Sequence, residues 1–241
     1  EKIALLKSLQ ISVKELRDGY QGPKPVRINY SDPEVAGAYL LAYAPVYQSQ
    51  INEVLQKVEL IPSKIKKVGI FCCGPCPSVL GILECLVQQN PDPQSIQFYL
   101  FDINHDGWTL AREGILAFGH RFFSSYNLSF NEVLVDFDLF DSSSILEHES
   151  DIKNLDFVIF QNFDTEVPRI IDFPGREEKE WEKTIVKIVE LIPSGSQFLW
   201  SDLYDAQKNQ RYFRDHLKDF LEVETGQFWF KPPHLRSDHM I

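Results

Sequence analysis

The residues best suited to chemistry lie at the ends of apolar runs. In Ile70-Phe71-Cys72-Cys73-Gly74-Pro75-Cys76-Pro77, three cysteines crowd one glycine, and further along a second run ends in Asp102, with Ile103 next in line. A glycine where a strand ends lets a ligand approach the backbone closely, and the carboxyl end of the first strand of an open α/β sheet borders the ligand crevice. A carboxylate ending the next strand can accept hydrogen bonds from both hydroxyls of a ribose. Gly74 and Asp102 together therefore point to a nucleoside ligand, with Ile103 flanking its base. Two plainer readings stand beside this one. Gly74 can serve only a tight turn, and Asp102 can cap the following helix or open the turn Asn104-His105-Asp106-Gly107.

Other chemistries find less support. Three of the four cysteines sit in one turn and the fourth, Cys85, on the helical segment that follows, which is no framework for stapling a chain of 241 residues. Reduced thiols are expected, and no metal, because no His lies near enough in sequence to complete a ligand set. His105, His120, His148, His216, His234 and His239 are scattered, and no Ser/His/Asp or Cys/His order builds a hydrolase.

The elements that must position these residues alternate. Residues 67–72 form a short apolar run, and 77–88 carry Val79, Leu80, Ile82, Leu83, Leu86 and Val87 at helical spacing. The breaker Asn90-Pro91-Asp92-Pro93 precedes a strand over 95–102 and a helix over 108–122. Strands are expected again at 131–138 and 155–161, joined by a Ser-rich connection through Ser144. A helix over 177–191 ends at Pro193-Ser194-Gly195 before a fifth strand at 197–202. Such alternation implies parallel pairing with right-handed crossovers, a Rossmann-like doubly wound, mostly parallel sheet. After a helical stretch over 210–220, two alternating runs around Thr225-Gly226 predict a terminal antiparallel β-hairpin over 221–230.

Ahead of the sheet, Ser31 or Asp32 caps a helical segment over 36–58 that is interrupted near Pro45. Its Tyr39, Tyr43 and Tyr47 recur at helical intervals. They either fold over the crevice as a lid or pack on the sheet as an apolar stripe. Two parts are expected: an N-terminal helical extension or lid, 1–62, and an α/β domain, 63–241.

Five α/β units closed by a hairpin resemble the class I S-adenosylmethionine-dependent methyltransferases over roughly residues 65–230. Against that family's first motif, an acid followed by three alternate glycines, Gly74-Pro75 matches the middle glycine and a commonly following proline. Ile70 stands at the acid's position, Cys72 at the first glycine's and Cys76 at the third's. The resemblance implies that Cys72, Gly74, Pro75 and Cys76 line the methionine portion of S-adenosylmethionine, and that Asp102 and Ile103 hold its ribose and adenine. It also implies that Asp138 and Leu139 touch the adenine amino group and ring. Asp136 is the register alternative there, and Asp141 reads as a solvated helix start. The fourth strand's end, Gln161-Asn162-Phe163-Asp164, falls where the family keeps catalytic or substrate-gripping groups, and the resemblance implies that Gln161 also lines the cofactor. The family's Asn/Asp-Pro-Pro-aromatic signature for methylating amino groups is absent. Arg27-x-x-Tyr30 followed by a helix with Ala38-Tyr39-Leu40 is also faintly similar to the mitochondrial ribosomal small-subunit methyltransferase-like family.

Composition bounds the partners. A net charge of −11 and a pI near 5.0 disfavour direct binding to nucleic acid without a partner, since phosphate affinity comes mainly from Lys and Arg. No apolar run spans a bilayer, and a soluble, cytoplasmic protein is expected. The expected function is methyl transfer from S-adenosylmethionine to an unknown acceptor. The alternative is a noncatalytic protein of the same fold that binds a partner or a nucleotide-like ligand. A nicotinamide enzyme is disfavoured, because Gly-x-Gly-x-x-Gly is missing.

Overall fold

The computed structural model describes residues 2–21, 29–58, 65–89, 94–163 and 180–201. The expected hairpin over 221–230 and the helix over 210–220 lie outside them.

Helices α1 (Lys2–Gln21), α2 (Pro33–Ala42) and α3 (Ala44–Lys57) precede the sheet. Asp32 is the cap that starts α2: its carboxylate accepts the N–H groups of Glu34 at 2.8 Å and Val35 at 3.4 Å, and Pro33 takes the first turn, where no donor is needed. The break between α2 and α3 falls at Tyr43, two residues before Pro45.

The rest alternates as expected: β1 (Lys67–Phe71), α4 (Pro77–Gln89), β2 (Gln94–Asp102), α5 (Thr109–Phe123), β3 (Leu128–Asp136), β4 (Phe157–Gln161), α8 (Glu180–Leu191) and β5 (Gln197–Ser201). Between β3 and β4 lie two short helices, α6 (Ser143–Glu147) and α7 (Glu149–Ile152), where the sequence pattern suggested only a Ser-rich connection. The strand order is β3-β2-β1-β4-β5 and every pairing is parallel. The described protein is thus a Rossmann-like α/β sheet whose order reverses between β1 and β4, the place where such sheets open a crevice at their carboxyl ends.

Both faces of the sheet are covered, which is why its strands read as apolar runs. Ile70, Phe98, Leu100 and Ile159 join one core with α2, α3, α4 and α5. Their neighbours along the same strands, Phe71, Phe101, Val158 and Phe160, join a second core with α6, α7 and α8. On this second face an aromatic ladder crosses four strands at one register level. Phe101 stacks on Phe71 (centroids 4.2 Å), Phe71 on Phe160 (5.0 Å) and Phe160 on Trp200 (5.7 Å). Phe137 closes it edge-on, 5.3 Å from Phe71 and 5.5 Å from Phe101. Each such pair adds about 0.5–1.5 kcal/mol beyond burial, so the ladder stiffens the floor on which the strand ends sit.

Candidate functional site

Leaving β1, the chain alternates in handedness. Cys72 (φ +52°), Gly74 (φ +52°) and Cys76 (φ +65°) have positive φ, while Cys73 and Pro75 between them do not. Only glycine adopts such a backbone without cost, so two of these three residues are held there by their surroundings. The holding bonds are specific. Cys73 N–H donates to the Phe101 carbonyl at 3.2 Å, and Cys76 N–H to the Cys73 carbonyl at 2.9 Å. Gly74 N–H donates to Asp102 Oδ2 at 2.8 Å. Val79 N–H then donates to the Cys76 carbonyl at 3.1 Å as α4 begins.

Asp102 is therefore a junction. Its Oδ1 accepts the Asn104 N–H at 2.9 Å, and its own carbonyl accepts the Phe137 N–H at 3.1 Å. One buried residue ties the first turn, the loop after β2 and the exit of β3 together. The Asn104 bond matches the turn-opening reading of Asp102, while α5 begins after Trp108 without a side-chain cap. The bond to Gly74 is a longer-range commitment that no local pattern announces.

Around the turn stand aromatic rings from the N-terminal segment and from the loop after β2. A Cβ built on Gly74 would lie 3.5 Å from the Trp108 indole. Trp108 stacks on Tyr30 (3.7 Å, 29° between planes) and meets Tyr39 edge-on at 5.4 Å. Tyr39 continues to Tyr43 and Tyr47. The N-terminal helices thus pack against the side of the turn, and Trp108 occupies the space beside Gly74.

The expected residues divide into three groups. Cys72, Gly74, Pro75, Cys76, Asp102 and Ile103 gather at the carboxyl ends of β1 and β2, with Ile103 55% exposed. Asp138 and Leu139 lie beyond the end of β3, which runs three residues earlier at its start and two earlier at its end than the apolar pattern suggested. Asp138 Oδ1 accepts the Phe140 N–H at 2.9 Å, and Leu139 is buried in the second-face core. Asp141 starts α6: its Oδ1 accepts Ser143 N–H and Oγ–H, and those bonds hold its carboxyl below the ordinary range.

Gln161, at the end of β4, belongs to a third group, built around Gln50, a residue that sequence reading missed. Gln161 Nε2 donates to the Tyr47 carbonyl at 2.8 Å and to Gln50 Oε1 at 3.1 Å. Gln50, buried on α3, also accepts from Asn162 Nδ2 (3.2 Å) and donates to Asn162 Oδ1 (3.3 Å) and Ser201 Oγ (2.9 Å). Asn162 itself has φ +55°. The only signal for Gln50 was an amide on an otherwise apolar stripe. A second missed pair is His105 and Arg112, both buried. Arg112 donates to the His105 carbonyl at 2.9 Å and to its Nδ1 at 3.2 Å. Since arginine only donates, Nδ1 is the acceptor and Nε2–H donates to the Val135 carbonyl at 2.9 Å.

All four cysteines are free thiols. Cys73 and Cys76 both point at the Gly74 carbonyl oxygen, from 3.6 Å and 3.4 Å. Burial pushes the Cys73 thiol well above its ordinary range, helped by the Cys76 hydrogen bond and by the charge of Asp102. Among the described residues no group of three or more His, Cys, Asp or Glu is placed to hold a metal ion, and no helix is long and apolar enough to cross a membrane.

Neither the scan against models of known families nor the search of curated proteins returned a match to this chain.

Proposed function

We propose that the protein binds S-adenosylmethionine at the carboxyl ends of β1 and β2 and transfers its methyl group to an acceptor that is unknown. The observation that carries this reading is the junction beside the switch point: a left-handed glycine turn after β1 bonded to an acid at the end of the adjacent β2, followed by an exposed apolar residue.

The residues suit the adenosine half of the cofactor. A carboxylate oxygen has two lone pairs, so Asp102 retains acceptor capacity for ribose hydroxyls after serving Gly74 and Asn104. Ile103 offers an uncovered side chain to one face of a purine. The methionine half is less well provided. Ile70, at the position of the family's acid, is buried in the first-face core and offers no acceptor for an amino group. What the chain itself contributes is orientation: the rigid turn and the Trp108 wall fix where a ligand can lie. Methyl transfer needs mainly an in-line approach of the acceptor to the sulfonium, which positioning supplies.

The second reading is a noncatalytic protein of this fold that holds a partner or a nucleotide-like ligand. It is favoured by the β4 end, where the side chains of Gln161 and Asn162 bond to Gln50 and to the Tyr47 carbonyl rather than turning to a substrate.

Calorimetric titration with S-adenosylmethionine tests the shared premise. Ile103→Ala should weaken binding roughly fivefold or more through lost apolar contact and leave the ligand-free melt unchanged, because the side chain is exposed. No heat and no rise in melting temperature at millimolar cofactor would end the adenosyl reading. Where binding occurs, methyl-labelled cofactor with fractionated cell extract separates enzyme from binding protein: label moves to an acceptor only in the first case.

A further inference from the structure

The turn after β1 contains sulfur chemistry that ligand binding does not use. In Cys73-Gly74-Pro75-Cys76 two residues separate two thiols, and the segment is a closed turn, since the Cys76 N–H donates to the Cys73 carbonyl at 2.9 Å. Such a turn holds its end Cα atoms within about 7 Å, and disulfides span Cα separations of about 4.4–6.8 Å. The side chains converge as well. Both Sγ atoms lie against one oxygen, the Gly74 carbonyl, at 3.6 Å and 3.4 Å. A Cys-x-x-Cys pair at a strand-to-helix turn of a βαβ unit is the arrangement in which dithiol exchange is expected.

We infer that Cys73 and Cys76 are a redox site that closes reversibly to a disulfide by exchange with a low-molecular-weight disulfide such as oxidised glutathione. Cys73 is the entry point, being 6% exposed against 0% for Cys76. Its Sγ gives up its proton to solvent, attacks one sulfur of the oxidised glutathione and breaks that S–S bond, and the departing glutathione thiolate takes a proton from solvent. Cys76 Sγ, losing its own proton, then attacks Cys73 Sγ in the mixed disulfide and expels the second glutathione as a thiolate, which is protonated in turn. Two protein thiols are oxidised and one glutathione disulfide is reduced to two thiols. Because only the thiolate attacks and burial keeps Cys73 protonated, exchange should accelerate as pH rises above neutrality. Closure replaces both S–H donors to the Gly74 carbonyl with a covalent ring across the turn. The site requires no bound ligand and stands independently of the cofactor reading.

The test equilibrates the whole chain in buffers of graded reduced-to-oxidised glutathione, quenches in acid, alkylates under denaturing conditions and weighs the intact protein. The expected result is a loss of about 2 Da before alkylation, with two of the four thiols resisting reagent. The loss should vanish in Cys73→Ser and in Cys76→Ser, and persist in Cys72→Ser and Cys85→Ser. Should a serine variant fail to fold, fragmentation of the wild-type disulfide decides, since a 73–76 ring suppresses ions from backbone cleavage inside it until reduction. Four alkylated thiols at every buffer ratio would overturn the proposal. So would a stable glutathione adduct that never resolves, a disulfide that survives Cys73→Ser, or fragment ions from within 73–76.

Discussion

Asp102 serves two backbone donors with its two oxygens, Gly74 N–H at 2.8 Å and Asn104 N–H at 2.9 Å. Asp102→Asn keeps one acceptor and sets an NH₂ group against the other donor, so it should lower the unfolding free energy by about 1–3 kcal/mol. Urea titration without any ligand reads this directly, and unchanged stability would show that the carboxylate is not a junction. Gly74→Ala belongs beside it. At φ +52° an L-residue is strained, whereas its Cβ would meet Trp108 at an ordinary 3.5 Å. Conformation rather than collision therefore sets a loss of about 1–2 kcal/mol, measured by the same titration. Both residues were legible in the sequence as a glycine and an acid at strand ends. That they bond to each other was not, because nothing in the local pattern of either segment specifies a partner on the neighbouring strand.

At the level of elements, α3 and α4 meet at a glycine. A Cβ on Gly81 would lie 2.5 Å from the Gln48 carbonyl oxygen and 3.0 Å from Ile51 Cβ. Backbone cannot move aside as a flexible side chain can, so Gly81→Ala must separate the two helices. The gain in helix propensity, about 1 kcal/mol, is outweighed by overpacking of about 1–3 kcal/mol and the polar bonds that α3 makes beyond it. The thermal midpoint should fall, and a midpoint at or above the original would refute this close approach. The cost extends past the contact because Gln50 on α3 supplies both donors and acceptor to Gln161, Asn162 and Ser201. Helical periodicity identified α3 as amphipathic but left open whether its stripe covered a crevice or the sheet. Its buried Ile51, Val54 and Leu55, with Gln50 among them, pack it into the domain.

For the molecule as a whole, buried thiols shape the alkaline limit of stability. Burial, then the charge of Glu84, raises Cys85 from an ordinary value of 9.0 to about 11, and Cys73 is raised as well. The folded chain keeps protons that the unfolded chain releases above pH 9. Unfolding is therefore favoured progressively as pH climbs from 9.0 towards about 11, and the contribution is intact below that window. Urea midpoints should decline across it, and Cys85→Ala should make the decline shallower while shifting the whole curve down for the lost packing. Parallel declines in both proteins would rule Cys85 out as a source.

What the sequence by itself determined were the elements and the character of their ends. Parallel strands buried on both faces must be apolar throughout, so each run announced itself, and Asp32, Pro33, Gly74 and Asp102 marked local geometry that only a few residue types satisfy. The third strand slipped by two or three residues because apolar character continues through Phe137 and Leu139, which are core residues outside the strand. What only the tertiary structure decided was which ends meet: the order β3-β2-β1-β4-β5, Gly74 on Asp102, Trp108 on Tyr30 beside the turn, and Gln50 plugged into the end of β4. Those are pairings between segments far apart in sequence, chosen by mutual fit and by the cost of leaving a buried polar group unbonded. Local spacing carries no record of such fit, since each residue type would look the same beside many other partners.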